Sequence, residues 1–317
     1  MMKPTLKPKK NIKTSIQASW PQIEERAKSA FLGVAVGDAL GATTEFMTPL
    51  EIQTKYGVHK KIVGGGWLRL KAGQVTDDTE MSLCIAKAIR DAQRWDLVAI
   101  ADHFAGWMRS RPVDIGATCA RGIRGYLHKG SLEVPQNEWD AGNGGVMRMA
   151  PVAIVTLGDQ DRLEAWSIQQ AHLTHNHPLS DAACIAVGKM VQKAMLGAPR
   201  NELRLVADDL VARYATFRFN PYLGNSTAYV VDTLQTVFHY LFSTESFEDC
   251  LIGVVNQGGD ADTNGAVAGM IAGALYGHQN FPRSWLRKLD PTIRQETADL
   301  AGQLVRFSPL GSKSVKN

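Results

Sequence analysis

From Ile23 onward, apolar residues recur at the three- and four-residue spacing that keeps one face of an α-helix dry. Met81, Cys84, Ile85, Ala88 and Ile89 trace one such stripe, and similar stripes run through 97–109, 161–172, 179–196, 201–214, 226–242 and 263–277. No short run alternates apolar and polar positions with the β-branched enrichment of a strand. The most apolar stretch, Gly265 to Gly277, has 13 residues and is rich in Gly and Ala. It is too short to span a bilayer and predicts a close-packed core helix. The pattern predicts an all-α fold, one compact multi-helix domain over residues 21–306. A flexible basic extension is expected at 1–20 and a tail at 307–317.

Composition narrows the class. With 317 residues, 44% of them hydrophobic and 21% charged, the chain can bury a sizeable core unaided, and disordered or collagen-like classes are excluded. The net charge of +4 resides in the ends: without the five lysines of residues 1–13 and without Lys313 and Lys316, 28 basic residues face 31 acidic ones. A nucleic-acid-binding face on the fold is therefore not expected. Cysteines stand at 84, 119, 184 and 250 without C-x-x-C spacing, and no apolar leader follows the basic N-terminus. Reduced thiols and a cytoplasmic location are the expectation.

The connections are unusual for a helical chain. Gly64-Gly65-Gly66, Gly142-Asn143-Gly144-Gly145 and Gly258-Gly259 each adjoin a predicted helix, and glycine loops permit positive φ and close approach to a ligand. Two further segments carry the chemistry. Thr76-Asp77-Asp78-Thr79-Glu80 opens one helix, and Asp260-Ala261-Asp262-Thr263-Asn264 opens the apolar helix. Asp and Thr are favoured N-caps, yet a cap needs one side chain and each segment offers several oxygens with no adjacent Lys or Arg. Should the two helix starts meet, their carboxylates would repel unless cations lay between them. Oxygen-only ligation suits Mg²⁺ or Mn²⁺ and not zinc, so a two-metal centre is the economical expectation. Thr79 and Glu80 fit capping and first-turn roles better.

Several motifs together resemble one family. F-L-G-V-A-V-G-D-A-L-G-A (31–42), T-D-D-T-E-M (76–81), G-N-G-G-V-M-R (142–148), T-H-N-H-P (174–178) and N-Q-G-G-D-A-D-T (256–263) are similar to the ADP-ribosylglycohydrolases. E-F-M-T (45–48), G-G-G-W-L-R-L-K (64–71), S-R-P-V-D-I-G (110–116) and A-Y-V-V-D-T-L-Q-T-V (228–237) resemble the branch of that family acting on dinitrogenase reductase. The likeness covers roughly residues 24–290 and leaves the basic extension outside it.

The resemblance implies an all-α dimetal hydrolase that removes ADP-ribose from an arginine of a target protein, here dinitrogenase reductase (nitrogenase iron protein). It implies two divalent ions, Mn²⁺ with Mg²⁺ as the alternative, one held by Thr76, Asp77 and Asp78 and the other by Asp260, Asp262 and Thr263. Glu45 would be gate and acid–base group, with Asp77 and Asp114 the other catalytic carboxylates; Asp114 would face the guanidinium, and read alone it would cap helix 116–128. Gly142, Asn143, Gly144, Gly145 and Met147 would wrap the nucleotide, His175 would line the pocket, and Tyr229 would stack on adenine. His177 is read as part of a capped turn and Asp38 as structural. Regulation by a PII signalling protein at the membrane is implied as well. Alternatives are a hydrolase of another ADP-ribose linkage, which would alter the surroundings of Asp114 and Glu45, and a crystallin-like relative without catalysis, which would lack metal ligands.

Overall fold

Helix boundaries follow local chemistry. The computed structural model describes residues 17–314. Within them the chain forms α1 (Trp20–Gly41), α2 (Pro49–Tyr56), α3 (Asp77–Ala92), α4 (Leu97–Arg109), α5 (Ala117–Lys129), α6 (Ala150–Val155), α7 (Gln160–His172), α8 (Pro178–Met195), α9 (Arg200–Arg213), α10 (Val230–Ser243), α11 (Phe247–Val255), α12 (Ala261–Tyr276), α13 (Arg283–Lys288), α14 (Pro291–Phe307) and α15 (Gly311–Ser314). Asp96, Asp159, Ser246 and Asp290 accept first-turn N–H groups through their side chains, the favoured N-cap arrangement. Thr48 and Glu51 form a reciprocal capping box at α2. Among the described residues there is no strand, only isolated bridges between Gly65 and Leu70 and between Gly142 and Tyr229.

The core is organised around α1 and α12, which are buried on every side over Ser29–Gly41 and Ala261–Ala274. Small residues four apart set these two helices backbone against backbone in antiparallel register: Ser29 against Gly273, Gly33 against Gly269, Gly37 against Gly265, Gly41 against Ala261. A Cβ added at Gly265 would stand 2.5 Å from the Gly37 carbonyl oxygen, and one added at Gly33, Gly37 or Gly41 would overlap its partner more severely. The antiparallel register brings the C-terminal end of α1, with Asp38, beside the first turn of α12, with Asp262. The apolar stripe of α3 packs its buried Met81, Ile85, Ala88 and Ile89 into the same core, carrying its acidic first turn to the same place.

Two boundaries differ from the expected ones. The stripe at 226–242 becomes helical only at Val230, because residues 141–143 and 228–230 are paired instead: Asn143 N–H donates to Ala228 O and Val230 N–H to Ala141 O. At the ends, residues 1–16, with all five lysines of the basic stretch, lie outside the described residues. Gln17 and Ala18 N–H groups donate to Leu196 O, and Leu310 N–H donates to Leu157 O, so the described residues near 17 and 310 pack on the domain. The four cysteines are free and buried, and no described helix is long and apolar enough to cross a membrane.

The close helix pair makes a direct prediction. Gly37→Ala must push the Gly265 backbone aside and should destabilise the protein by about 1–3 kcal/mol or more. Gly106→Ala, on the exposed side of α4 with nothing within 4 Å of the added Cβ, should stabilise it by about 0.5–1 kcal/mol. Equilibrium urea unfolding of both variants checks the pair.

Candidate metal centre and substrate pocket

Asp38 holds the start of α3 in place. Both its carboxylate oxygens accept from Thr76 N–H at 3.0 Å, Thr76 Oγ1 donates to Oδ1 at 3.0 Å, and Thr79 donates to Oδ2 through N–H at 3.2 Å and Oγ1 at 2.5 Å. This fully buried carboxylate is satisfied on both oxygens, which fits a structural role. Thr76 is the N-cap residue of α3 and Asp260 that of α12, yet neither side chain makes a capping hydrogen bond. Their oxygens are turned to another use.

The two helix starts meet. Thr76 Oγ1 lies 3.1 Å from Asp78 Oδ2 and 3.4 Å from Asp262 Oδ2, and one carboxylate oxygen each from Glu45, Asp260 and Asp262 lies within 4.8 Å of the others. Asp78 Oδ1 is buried without any hydrogen-bond partner. Among the described residues no Lys or Arg pairs with Glu45, Asp77, Asp78, Asp114, Asp260 or Asp262. An orphaned carboxylate oxygen inside an all-oxygen cluster of like charge is the donor set that a hard divalent cation satisfies. The residues present fit a divalent cation.

Glycine geometry closes the cluster. Gly258 and Gly259 adopt φ of 65° and 59°, and an added Cβ at either would collide with the carbonyl oxygen of Met47 or Ser226 respectively. The close approach lets Phe46 N–H donate to Gly259 O at 2.6 Å, Gly259 N–H to Met47 O at 2.9 Å and Asp260 N–H to Ser226 O at 2.9 Å. Three loops are stitched there, with Ser226 Oγ adding a hydrogen bond to Gly258 O at 2.7 Å.

Above the cluster opens a cavity of about 610 Å³. Glu45 is 5% exposed and accepts from Trp67 Nε1–H at 2.6 Å. Asp77 Oδ2 accepts from Gly116 N–H at 3.2 Å. Asp114 lines the cavity with Oδ1 taken by Ile115 N–H; the N-cap of α5 is Gly116, so Asp114 does not cap that helix. Asn143 donates through Nδ2 to Asp260 Oδ2 at 2.5 Å and to Thr233 Oγ1 at 2.9 Å, tying the glycine loop to the cluster. Gly142 and Gly144 press on the ring of His175, whose Nδ1 lies 2.8 Å from Thr174 Oγ1. Thr263, Met147 and Cys119 complete the wall.

Not every residue singled out in the sequence reaches the cavity. Gly145 packs behind the wall against Ala171 and Cys184, and Tyr229 stands at the rim, 40% exposed, as the N-cap residue of α10. His177 caps α8, its Nδ1 accepting from Leu179 N–H at 3.1 Å, and Glu80 accepts from Trp107 Nε1–H at 2.6 Å away from the cluster. The sequence reading passed over Trp67 as a site residue, although its W-L-R-L-K context follows three glycines. Each of Gly64, Gly65 and Gly66 has positive φ, and their turn sets Trp67 over Glu45.

Burial dominates the electrostatics. It pushes Glu45 up to about 8, opposed by the Trp67 hydrogen bond and reinforced by the charges of Asp114 and Asp260. Burial, with Asp114 adding, raises Asp77 to about 7. Asp78 and Asp262 are driven well above the carboxylate range by burial and then by their acidic neighbours. His175 is brought down to about 3 by burial, then by Arg148 and Arg121, and is neutral at physiological pH.

This architecture defines a class of protein. The chain belongs to the ADP-ribosylglycohydrolase family, whose model matches residues 19–310. It is 54% identical to the ADP-ribosyl-[dinitrogen reductase] glycohydrolase of Rhodospirillum rubrum over 276 residues, covering 87% of this chain and 94% of that protein. It is also 33% identical to the ADP-ribosylarginine hydrolase Tri1 of Serratia proteamaculans over 301 residues, 90% of this chain and 80% of that one. Among solved structures, an ADP-ribosylglycohydrolase-related protein complex aligns with a TM-score of 0.79 at 30% identity, covering 91% of this chain and 99% of that chain.

The raised carboxyls set the pH response of metal-free protein. Glu45 (about 8) and Asp77 (about 7) bind protons more tightly folded than unfolded. Their stabilisation is complete below the ordinary carboxylate range and is lost as pH rises through these folded values. Chelator-stripped protein should therefore melt at a lower temperature at pH 8 than at pH 5.5. Mn²⁺ or Mg²⁺ should reverse the loss at pH 8, by about 2.7 kcal/mol at a hundredfold excess over Kd. Thermal melts across pH, with and without each ion, read both effects.

Proposed function

We propose that this chain hydrolyses the N-glycosidic bond between ADP-ribose and an arginine side chain, restoring the unmodified target protein, and that the target is dinitrogenase reductase. The observation that carries the reading is the meeting of two aspartate-bearing helix starts at the floor of a nucleotide-sized cavity. The target follows from the relative of Rhodospirillum rubrum, whose name specifies dinitrogen reductase. Control by a PII signalling protein at the membrane surface belongs to the same reading and rests on the resemblance alone.

Thr76, Asp77 and Asp78 would hold one divalent ion and Asp260, Asp262 and Thr263 the other, with Mn²⁺ the preferred metal and Mg²⁺ the alternative. Bound there, the ions supply Lewis-acid polarisation of the ribose hydroxyls and of water. Glu45, fixed by the Trp67 indole, is poised to give a proton to the departing arginine nitrogen and to take one from water, because its burial makes it a carboxyl that titrates near neutrality. Asp114 keeps Oδ2 for the guanidinium while Ile115 N–H occupies Oδ1; a planar guanidinium is best held by a carboxylate. The Gly144 N–H, which has no hydrogen-bond partner among the described residues, is available to a phosphate oxygen, and neutral His175 backs that loop without adding charge. Tyr229 at the rim provides a stacking face for the adenine.

Two variants test these roles. Asp262→Ala should abolish both turnover of ADP-ribosyl-arginine protein and the metal-induced rise in melting temperature. Asp114→Asn should lower kcat/KM by a factor of about 30–150, equivalent to 2–3 kcal/mol of charge-assisted bonding, with free ADP-ribose affinity little changed. Hydrolysis assays with EDTA as control and ADP-ribose titrations measure both; full activity in EDTA would overturn the metal-dependent reading.

A further inference from the structure

A second groove adjoins the catalytic cavity. Its volume is about 650 Å³, and it runs between α2 and the Gly64–Leu70 turn. The two spaces share a wall made of Glu45, Phe46 and Trp67. On the outer side of that wall, Phe46 is 65% exposed, Trp67 52% and Leu50 71%, with the two aromatic rings 5.2 Å apart. Large apolar side chains exposed side by side on a folded domain mark an interaction surface. The fold does not hide them: α2 buries only Ile52, and its capping box fixes the helix with Leu50 and Thr54 outward. Charge of both signs lines the groove, from Glu51 and Lys55. Glu51 Oε2 accepts from Thr48 N–H and Oγ1, at 2.7 and 2.9 Å. Lys55 has no carboxylate partner among the described residues, and its Nζ lies 5.1 Å from the Tyr56 ring.

We propose that this groove binds the polypeptide flanking the modified arginine of the protein substrate, as an extended segment with apolar side chains against Phe46, Trp67 and Leu50. The inference rests on the arginine-linked reading above. With the ADP-ribose in the cavity, the arginine side chain must lead back out through the mouth to its own backbone. The Phe46–Trp67 wall lines the cavity on one side and the groove on the other. The surface is therefore placed where the substrate chain emerges.

The test compares two substrates on the metal-loaded full chain: ADP-ribosylated protein, and ADP-ribosyl-arginine methyl ester, which has no flanking polypeptide. Leu50→Glu and Lys55→Glu place charge in the groove without touching the catalytic carboxylates, and Leu50→Ala is a milder variant should the first disturb folding. Each charge variant should lower kcat/KM for the protein by at least about tenfold, mainly through KM, and leave the small ester within about twofold. Equal losses on both substrates, or no loss on the protein, would overturn the docking role while leaving the hydrolase reading intact. Wild-type protein that cleaves neither substrate would overturn the hydrolase reading, and the docking role with it.

Discussion

The contact between the backbones of α1 and α12 is the constraint from which the rest of the molecule follows. Glycine in a helix interior costs about 0.5–1 kcal/mol relative to alanine, and α1 and α12 accept that cost repeatedly along one stripe. In return the axes approach until the carbonyl of one helix touches the Cα of the other. No side chain separates them, so there is no rotamer through which the pair could slip, and a register shift of one residue would drive a Cβ into backbone. The position of Asp38 relative to Asp262 is thereby fixed by covalent geometry and van der Waals contact. The order of the site descends from that fixed pair: Asp38 captures the start of α3, and the first turn of α12 receives the loops at 42–47 and 226.

Carboxylates of two kinds then coexist within a few ångströms. Asp38 is fully buried yet surrounded by four hydrogen-bond donor groups from Thr76 and Thr79; its charge is spread into amide and hydroxyl dipoles, and it serves as a distant cap for a helix that carries acids in its first turn. Asp78 is equally buried and has one oxygen with no donor at all. The same burial therefore means opposite things. A satisfied buried carboxylate is part of the scaffold, whereas an unsatisfied one beside other carboxylates is a defect unless a cation completes it. By this criterion Asp38 and Asp78 are separable without reference to any relative.

Much of this was legible in the sequence, for a physical reason. The helical stripes report burial of one face, and α4, α7, α8 and α9 fall within a residue of their stripes. The aspartate clusters were legible because too many oxygens stood at each helix start for capping alone. What periodicity could not show is pairing across loops: Tyr229 and its neighbours continue an apolar pattern, yet their backbone groups are taken by residues 141–143, so the helix begins later. Nor could spacing distinguish Gly142 and Gly144, which face His175, from Gly145, whose space is filled by Ala171 and Cys184. Trp67 was invisible as a partner of Glu45 because an indole N–H finds its acceptor only through the fold of the intervening glycine turn. Short helices such as α2, with a single buried residue, leave no stripe to read.

Asn143 shows how tightly the two halves of the site are joined. Its one amide group donates to Asp260 in the oxygen cluster and to Thr233 on α10, while its own N–H donates to Ala228. The glycine loop, the start of α10 and the start of α12 are thus held by a single side chain and its backbone. An amide is suited to this post because it supplies two N–H donors in fixed geometry and carries no charge of its own. A lysine there would neutralise Asp260 and compete with a cation; an aspartate would add to the repulsion. The neutral donor fixes the orientation of Asp260 Oδ2 without pairing the carboxylate with a positive charge. The glycine-loop wall and the acidic floor of the cavity are for that reason one mechanical unit, anchored through α12 to the glycine stripe.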